Sequence, residues 1–307
     1  MRISILMASL AVALITIATA RSAPHADAHV LRTITPWAPP EWHPNRKALD
    51  VPSGFEGHAD KRVPGLDSRA AFVYDMDADK VLLDRRADDP YPVASLTKLV
   101  SSLAMASNEP DLDKVVCVND DFRPTRSGAR SRLSKGDCYT GWDILGAALV
   151  SSDNRAAFGL QVVSGLEFDD FVQRMDDVAG DLGMVNSSFA EPSGLEDDNM
   201  STARDMVRAV MAVAAHPDLS VAASAPFWRL ERENGPMRLL HSTDRIAANA
   251  RYDVVAAKTG FSNTAGYCFT TVVRTPSGRT LAMSLLGAGS TSRRWADVRR
   301  VLDTFGG

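Results

Sequence analysis

Apolar residues open the chain in one block: Ile3 to Ala18 is interrupted only by Ser4, Ser9 and Thr16, and it follows the cationic start Met1-Arg2. Ala18-Thr19-Ala20 closes the block with the small-x-small pattern that signal peptidase reads. Residues 1–20 are therefore expected to be an export signal cleaved after Ala20, and the body of the protein to be periplasmic or otherwise extracytoplasmic. The block approaches the length that spans a bilayer, so a retained N-terminal anchor is the alternative, and membrane contact is expected only in that case. From Arg21 to Pro64 periodicity is lost and seven of the sixteen prolines occur, so residues 21–66 read as an extended, poorly ordered leader.

Periodic patterning resumes near Ser68, and residues 67–307 are expected to form the folded domain. The apolar runs Ala70–Asp75 and Lys80–Asp84, joined by the polar turn Met76-Asp77-Ala78-Asp79, predict a β-hairpin. Helical spacing follows over Ser95–Ser107, Trp142–Ser151, Ala156–Gly165, Glu167–Leu182 and Thr202–Ala215, the last opened by a capping-box variant, Thr202 with Asp205. Strand patterning returns over Asp253–Lys258, Tyr267–Arg274 and Thr280–Leu286, and Ser292–Phe305 reads as a closing helix. Strands at both ends with helices between predict an α+β fold: one antiparallel sheet from both chain ends with an inserted helical lobe. The junction of lobe and sheet is the natural place for a cleft.

Composition adds little to this, since 45% hydrophobic and 23% charged residues in a chain of 307 is ordinary for a globular protein. A net charge of -4 and scattered Lys and Arg argue against a nucleic-acid partner. Cys117 and Cys138 sit in short β-like stretches, where an oxidising compartment would allow a disulfide that spacing alone cannot establish; Cys268, in an apolar strand, reads as a buried free thiol. The six histidines show neither H-x-x-x-H nor H-E-x-x-H spacing, so no metal and no other cofactor is expected. Glu196-Asp197-Asp198 reads as a solvated loop.

Three short motifs occur once each, in order: Ser95-Leu96-Thr97-Lys98, Ser152-Asp153-Asn154 and Lys258-Thr259-Gly260. Each alone is an everyday pattern, but all three in this order would arise by chance in roughly one chain in several thousand, which favours a chemical reading. Ser95 and Lys98 share a helix face near its N-terminus. A serine hydroxyl needs a base before it attacks a carbonyl, and with no histidine in the motifs Lys98 is the candidate. Lys98 could serve only if burial and a neighbouring cation, here Lys258, depress its pKa. Ser152 and Asn154 fall at a break between helices: Ser152 can relay a proton to the leaving nitrogen, and Asn154 can hold Lys98 and the substrate amide. Lys258 and Thr259, at the end of an apolar strand, suit a substrate carboxylate, and Gly260 admits close backbone approach. The N–H groups of Ser95 and Phe261 are the expected oxyanion hole.

With Pro92-Val93-Ala94 before Ser95, Arg155-Ala156-Ala157 after Asn154, Pro192-Ser193-Gly194-Leu195, and Phe261-Ser262-Asn263-Thr264-Ala265-Gly266-Tyr267-Cys268 after Gly260, the chain resembles the low-molecular-mass penicillin-binding proteins, the D-alanyl-D-alanine carboxypeptidase and endopeptidase family. The resemblance implies a β-lactamase/transpeptidase-like fold, a Ser95 acyl-enzyme, peptidoglycan stem peptides as substrate and β-lactams as covalent inhibitors. The E-x-x-L-N loop of class A β-lactamases is missing: Glu191 is followed by Pro192-Ser193-Gly194-Leu195, and Glu196 by Asp197-Asp198-Asn199. Ser242-Thr243-Asp244 stands where many relatives have N-T-N. The 47 residues after Gly260 suit the short, soluble endopeptidase branch typified by penicillin-binding protein 7 better than the longer anchored carboxypeptidases.

The leading expectation is therefore a serine DD-endopeptidase cutting D-Ala–diaminopimelate cross-links. The alternatives are a DD-carboxypeptidase removing terminal D-Ala, a catalytically inactive wall-binding module, and a β-lactamase, which the missing Glu loop disfavours.

Overall fold

The computed structural model describes Phe55 and residues 63–122, 131–233 and 235–307. Strand β1 (Ala70–Asp75) is buried throughout, because its alternate side chains enter two different cores: Ala70, Phe72 and Tyr74 face one, Ala71 and Val73 the other. β2 (Lys80–Arg85) pairs antiparallel with it across a turn in which Asp75 Oδ1 accepts from the N–H groups of Asp77 and Ala78. After the short β3 (Tyr91–Pro92), one 3-10 turn at Ala94–Leu96 leads into α1 (Thr97–Ala106). β4 (Val115–Cys117) and β5 (Cys138–Thr140) pair with Cys117 opposite Cys138, and a disulfide joins the two.

The helical lobe continues with α2 (Gly141–Leu149), α3 (Asn154–Ser164) and α4 (Phe168–Asp181). Thr140 and Asp143 form a reciprocal capping box at the start of α2. β6 (Met200–Ser201) pairs with β3 and precedes α5 (Ala203–Ala215), in which every residue except Arg204 and Arg208 is buried. α6 (Pro217–Ser224) and the hairpin β7 (Phe227–Leu230) with β8 (Arg238–His241) follow. β9 (Asp253–Ser262), β10 (Gly266–Arg274) and β11 (Thr280–Ala288) complete a five-stranded antiparallel sheet of order β2-β1-β11-β10-β9, and α7 (Thr291–Phe305) closes the chain. β1 thus lies beside β11, and the two chain ends make one sheet. One face carries α5 and the lobe; the other carries α7 through Trp295, Val298, Val301 and Leu302. This is the α+β arrangement expected from the patterning.

Three expectations need correction, and α6 and the β7–β8 hairpin were not anticipated. The K-T-G strand does not stop at Lys258 but runs on to Ser262, so the motif lies within it. Thr202 caps α5 by accepting from Asp205 N, but the Asp205 carboxylate turns instead to Asn186 N and Ser187 Oγ, leaving the capping box half made. α6 and the β7–β8 hairpin are too short to carry a periodic signal. Lastly, the core takes in Phe55, Val63 and Leu66, all within the stretch read as a poorly ordered leader. The Phe55 ring stacks on Phe72 and Tyr74 at centroid distances of 5.5 and 4.7 Å, and its carbonyl accepts from Arg204. The expected signal segment lies outside the described residues; among those described, no single helix is long and apolar enough to cross a membrane.

The chain's entry into the sheet hangs on Asp297, fully buried in α7, which accepts from Ser68 N and Ser68 Oγ, both at 2.7 Å, and from Asp67 N at 3.0 Å. Asp297→Ala leaves the buried Ser68 donors unpaired and is expected to cost about 3 kcal/mol, read as a lower urea midpoint.

Candidate active site

Every residue of α1 is buried, so the helix has no solvent face and Lys98 must point inward; its side chain is fully buried. The 3-10 turn before it holds Ala94 at φ +48° and leaves Ser95 half-buried. Lys98 Nζ lies 2.9 Å from Ser95 Oγ, 2.7 Å from Asn154 Oδ1 and 2.6 Å from the Ser193 carbonyl oxygen.

Asn154 is presented by the break between α2 and α3. There Ser152 adopts φ +58°, unusual for a residue with a side chain. Asp153, the middle residue of the motif, anchors the break: it caps α3 by accepting from Ala156 N and also accepts from Ser131 Oγ and Arg132 N. Ser152 Oγ receives a 2.8 Å hydrogen bond from Lys258 Nζ, which also donates to the Thr259 carbonyl at 3.0 Å. Lys258, like Lys98, is buried.

β9 is an edge strand, and its free edge packs on the Ser95 turn. A Cβ at Gly260 would sit 2.8 Å from the Val93 carbonyl oxygen, which is why the motif ends in glycine. Thr259 Oγ1 donates to Thr243 Oγ1 at 2.6 Å, tying the strand to the Ser242-Thr243-Asp244 loop. Phe261 is half exposed and packs on Tyr267 with a centroid distance of 4.3 Å. Ser95, Lys98 and Asn154 are thus joined by direct contacts, as are Ser152, Lys258 and Thr259, and Gly260 seats the second set against the Ser95 turn, with Phe261 next in the strand.

Sequence reasoning gave no role to several residues that complete this network. Glu191, also buried, organises the Pro192-Ser193-Gly194-Leu195 turn: Oε2 accepts from Ser193 N and Oγ, and Oε1 from Leu195 N and Asn199 Nδ2. Ser101, one turn beyond Lys98 on α1, donates to the Pro192 carbonyl at 2.6 Å. The loop is thereby fixed so that Ser193 offers its carbonyl to Lys98. Arg294 of α7 is buried and donates to the carbonyls of Gly260 and Cys268, both at 3.3 Å. A backbone carbonyl and a distant arginine have no local motif; the only hint in the sequence was the Pro-Ser-Gly-Leu stretch itself. Glu196, Asp197 and Asp198 are exposed, as their charge suggested.

The electrostatics follow from burial. Desolvation lowers Lys98 from 10.5 to about 8, against the pull of Glu191 and Asp153. Desolvation pushes Lys258 down as well, helped by the charges of Lys98 and Arg294. Burial raises Asp244, beside them, to about 6. Among the described residues no group of three or more His, Cys, Asp or Glu is placed to hold a metal.

Residues 58–289 match the family model described as D-alanyl-D-alanine carboxypeptidase, Peptidase_S11. The chain belongs to this family of serine DD-peptidases. It is 32% identical to a D-alanyl-D-alanine endopeptidase of Pseudomonas aeruginosa over 240 residues, 77% of this chain and 76% of the relative. Its fold is similar to that of D-alanyl-D-alanine carboxypeptidase from Mycobacterium tuberculosis H37Rv (TM-score 0.72, 24% identity, 81% of this chain and 95% of that one). It is also similar to cefotaxime-bound penicillin-binding protein D2 from Listeria monocytogenes (TM-score 0.66, 28% identity, 78% and 96%). This DD-peptidase is therefore a serine-type hydrolase of the penicillin-binding fold.

One glycine of the DD-peptidase site is open to a direct test. Gly194 has φ +79°, and a Cβ there would lie 1.9 Å from the Ala94 carbonyl oxygen and 2.9 Å from Ser95 N. Gly194→Ala is expected to push the turn off Ser95 and withdraw the Ser193 carbonyl from Lys98. Labelling by a fluorescent penicillin should slow at least tenfold while circular dichroism still reports a folded protein.

Proposed function

We propose that Ser95 is the nucleophile of a DD-endopeptidase that opens D-Ala–diaminopimelate cross-links of peptidoglycan. The observation that carries the assignment of roles is the set of partners around Lys98. The Asn154 Oδ1 and Ser193 carbonyl oxygens can only accept, whereas the Ser95 hydroxyl can donate. A neutral Lys98 amine has two N–H bonds for the first two and one lone pair left, directed at the Ser95 proton. Burial of Lys98 favours that neutral form.

In this mechanism the Ser95 proton passes to Lys98 as Oγ bonds to the carbonyl carbon. The backbone N–H groups of Ser95 and Phe261 receive the oxyanion. The C–N bond then breaks, Ser152 gives the leaving nitrogen its proton, and the lysine pair restores the proton to Ser152. Water attacks the acyl-enzyme by the same route reversed, with Lys98 taking its proton and Ser95 regaining one. Lys258 and Thr259 hold the carboxylate next to the scissile bond. β-Lactams would acylate the same Ser95.

The endopeptidase reading is supported by the name of the Pseudomonas aeruginosa relative; the carboxypeptidase reading is supported by the name of the Mycobacterium tuberculosis protein. A β-lactamase is disfavoured because four chain donors occupy both Glu191 oxygens, leaving them engaged instead of facing a deacylating water. Intact Ser95, Lys98 and Lys258 disfavour an inactive binding module. The N-terminal pattern of residues 1–20 supports export to the periplasm.

Incubation with cross-linked muropeptide dimers and with a D-Ala-D-Ala pentapeptide, beside Ser95→Ala, tests the reading. Monomers from the dimer, dependent on Ser95, are the expected result. Release of D-Ala from the pentapeptide alone would make the protein a carboxypeptidase, and no cleavage of either would revive the binding module.

The pH dependence gives a second test. Lys98 acts only when neutral, and burial lowers it to about 8. The rate of acylation by penicillin should therefore rise with pH and level off above about 8, instead of near the ordinary lysine value of 10.5. Lys98→Ala should slow it by roughly a thousandfold and remove this rise.

A further inference from the structure

A cavity of about 270 Å³ opens where the loop before β9 meets α7. Its floor is apolar and buried, with Ile246, Tyr252, Trp295 and Leu302 among its residues. Its rim carries three exposed arginines, Arg245, Arg251 and Arg299. Two of them lean over the aromatic floor: Arg245 lies 6.0 Å from the Trp295 ring centroid and Arg251 5.6 Å from that of Tyr252.

The three guanidinium groups make no ion pair and no hydrogen bond with the other described residues. Elsewhere on α7 the pattern differs: Arg293 pairs with Asp67 and Arg300 with Asp297. Asp303, the one acidic residue on the rim, lies a turn beyond Arg299 but forms no ion pair with it. In a protein of net charge -4, three unneutralised arginines around one apolar depression are a local excess of positive charge. Guanidinium groups recognise phosphate and carboxylate, and an indole and a phenol ring beneath them suit an apolar stem.

We propose that this cavity binds a small anionic amphiphile, its phosphate or carboxylate held by Arg245, Arg251 and Arg299 and its apolar stem laid on Trp295 and Tyr252. Trp295 and Leu302 belong to the core between the sheet and α7, whereas Lys98 and Ser95 lie on the lobe side. Ligand and substrate therefore occupy separate sites. The ligand chemistry is shared by two sources, a free phosphorylated or carboxylated metabolite and the headgroup of an anionic lipid.

Calorimetric titration of the full chain with hexyl phosphate, and separately with inorganic phosphate, tests the proposal. Hexyl phosphate is expected to bind at least tenfold more tightly than inorganic phosphate. Arg251→Ala and Arg299→Ala, both at exposed positions, should each weaken it about tenfold. Lys258→Ala should bind hexyl phosphate like the unaltered protein. Equal affinity for the two phosphates, no loss in either arginine variant, or loss in Lys258→Ala would each overturn the proposal, the last by placing the anion in the catalytic cleft. Sedimentation with phosphatidylglycerol vesicles separates the sources. Pelleting that falls in the arginine variants assigns the lipid headgroup; unchanged pelleting alongside hexyl phosphate binding assigns a free metabolite.

Discussion

Among the described residues two lysine side chains are buried, with no carboxylate in contact with either side-chain nitrogen. An unpaired buried cation is so unfavourable that it tends to shed its proton. Lys98 and Lys258 are surrounded instead by neutral acceptors: two hydroxyls, an amide oxygen and two backbone carbonyls. Those acceptors satisfy the N–H donors but bring no countercharge to offset the burial of an ammonium. The chemistry of the site therefore rests on where these neutral oxygens are held, and much of the surrounding structure serves to hold them.

The holding is done by irregular backbone fixed at its flanks. Ala94 and Ser152 both carry positive φ, a conformation that persists only where neighbours over-determine it. Asp153 determines the second, with three donors on one carboxylate, and the Gly194 turn seats against the first. Glu191 performs the same service for the turn that carries the Ser193 carbonyl. Acidic residues thus act near the lysines through the backbone they organise, and their charges reach Lys98 only across intervening groups.

How much of this could be read from the sequence depended on the range of the interaction. Short apolar runs in Ala70–Asp75 and Thr280–Leu286 revealed strands because a strand covered on both faces is buried along its whole length, and the long helix Ala203–Ala215 was legible from its apolar spacing. Ser95 and Lys98 were legible because one helical turn joins them. Phe55 was not: a single aromatic among prolines has no period, and its packing on Phe72 and Tyr74 is purely tertiary. Thr243, Ser193 and Arg294 were missed as site residues for a related reason. Their parts are played by one hydroxyl, one carbonyl and one long-range guanidinium, none of which needs a neighbour in sequence to do its work. Pairing of Cys117 with Cys138 needed the register of β4 on β5, which spacing does not contain.

The position of Phe55 also bears on where the folded domain begins. Its ring is wedged on the sheet residues Phe72 and Tyr74, and its carbonyl is gripped by Arg204, which is itself paired with Asp84 and Asp88. Tension on the chain N-terminal to this point would meet that ring and ion-pair cluster before it reached β1, fifteen residues further on. Any fragment trimmed to begin at residue 67 would instead uncover Phe72 and Tyr74 and leave Arg204 short of an acceptor. The working edge of this domain, for a tether or for an expression boundary, lies on the N-terminal side of Phe55.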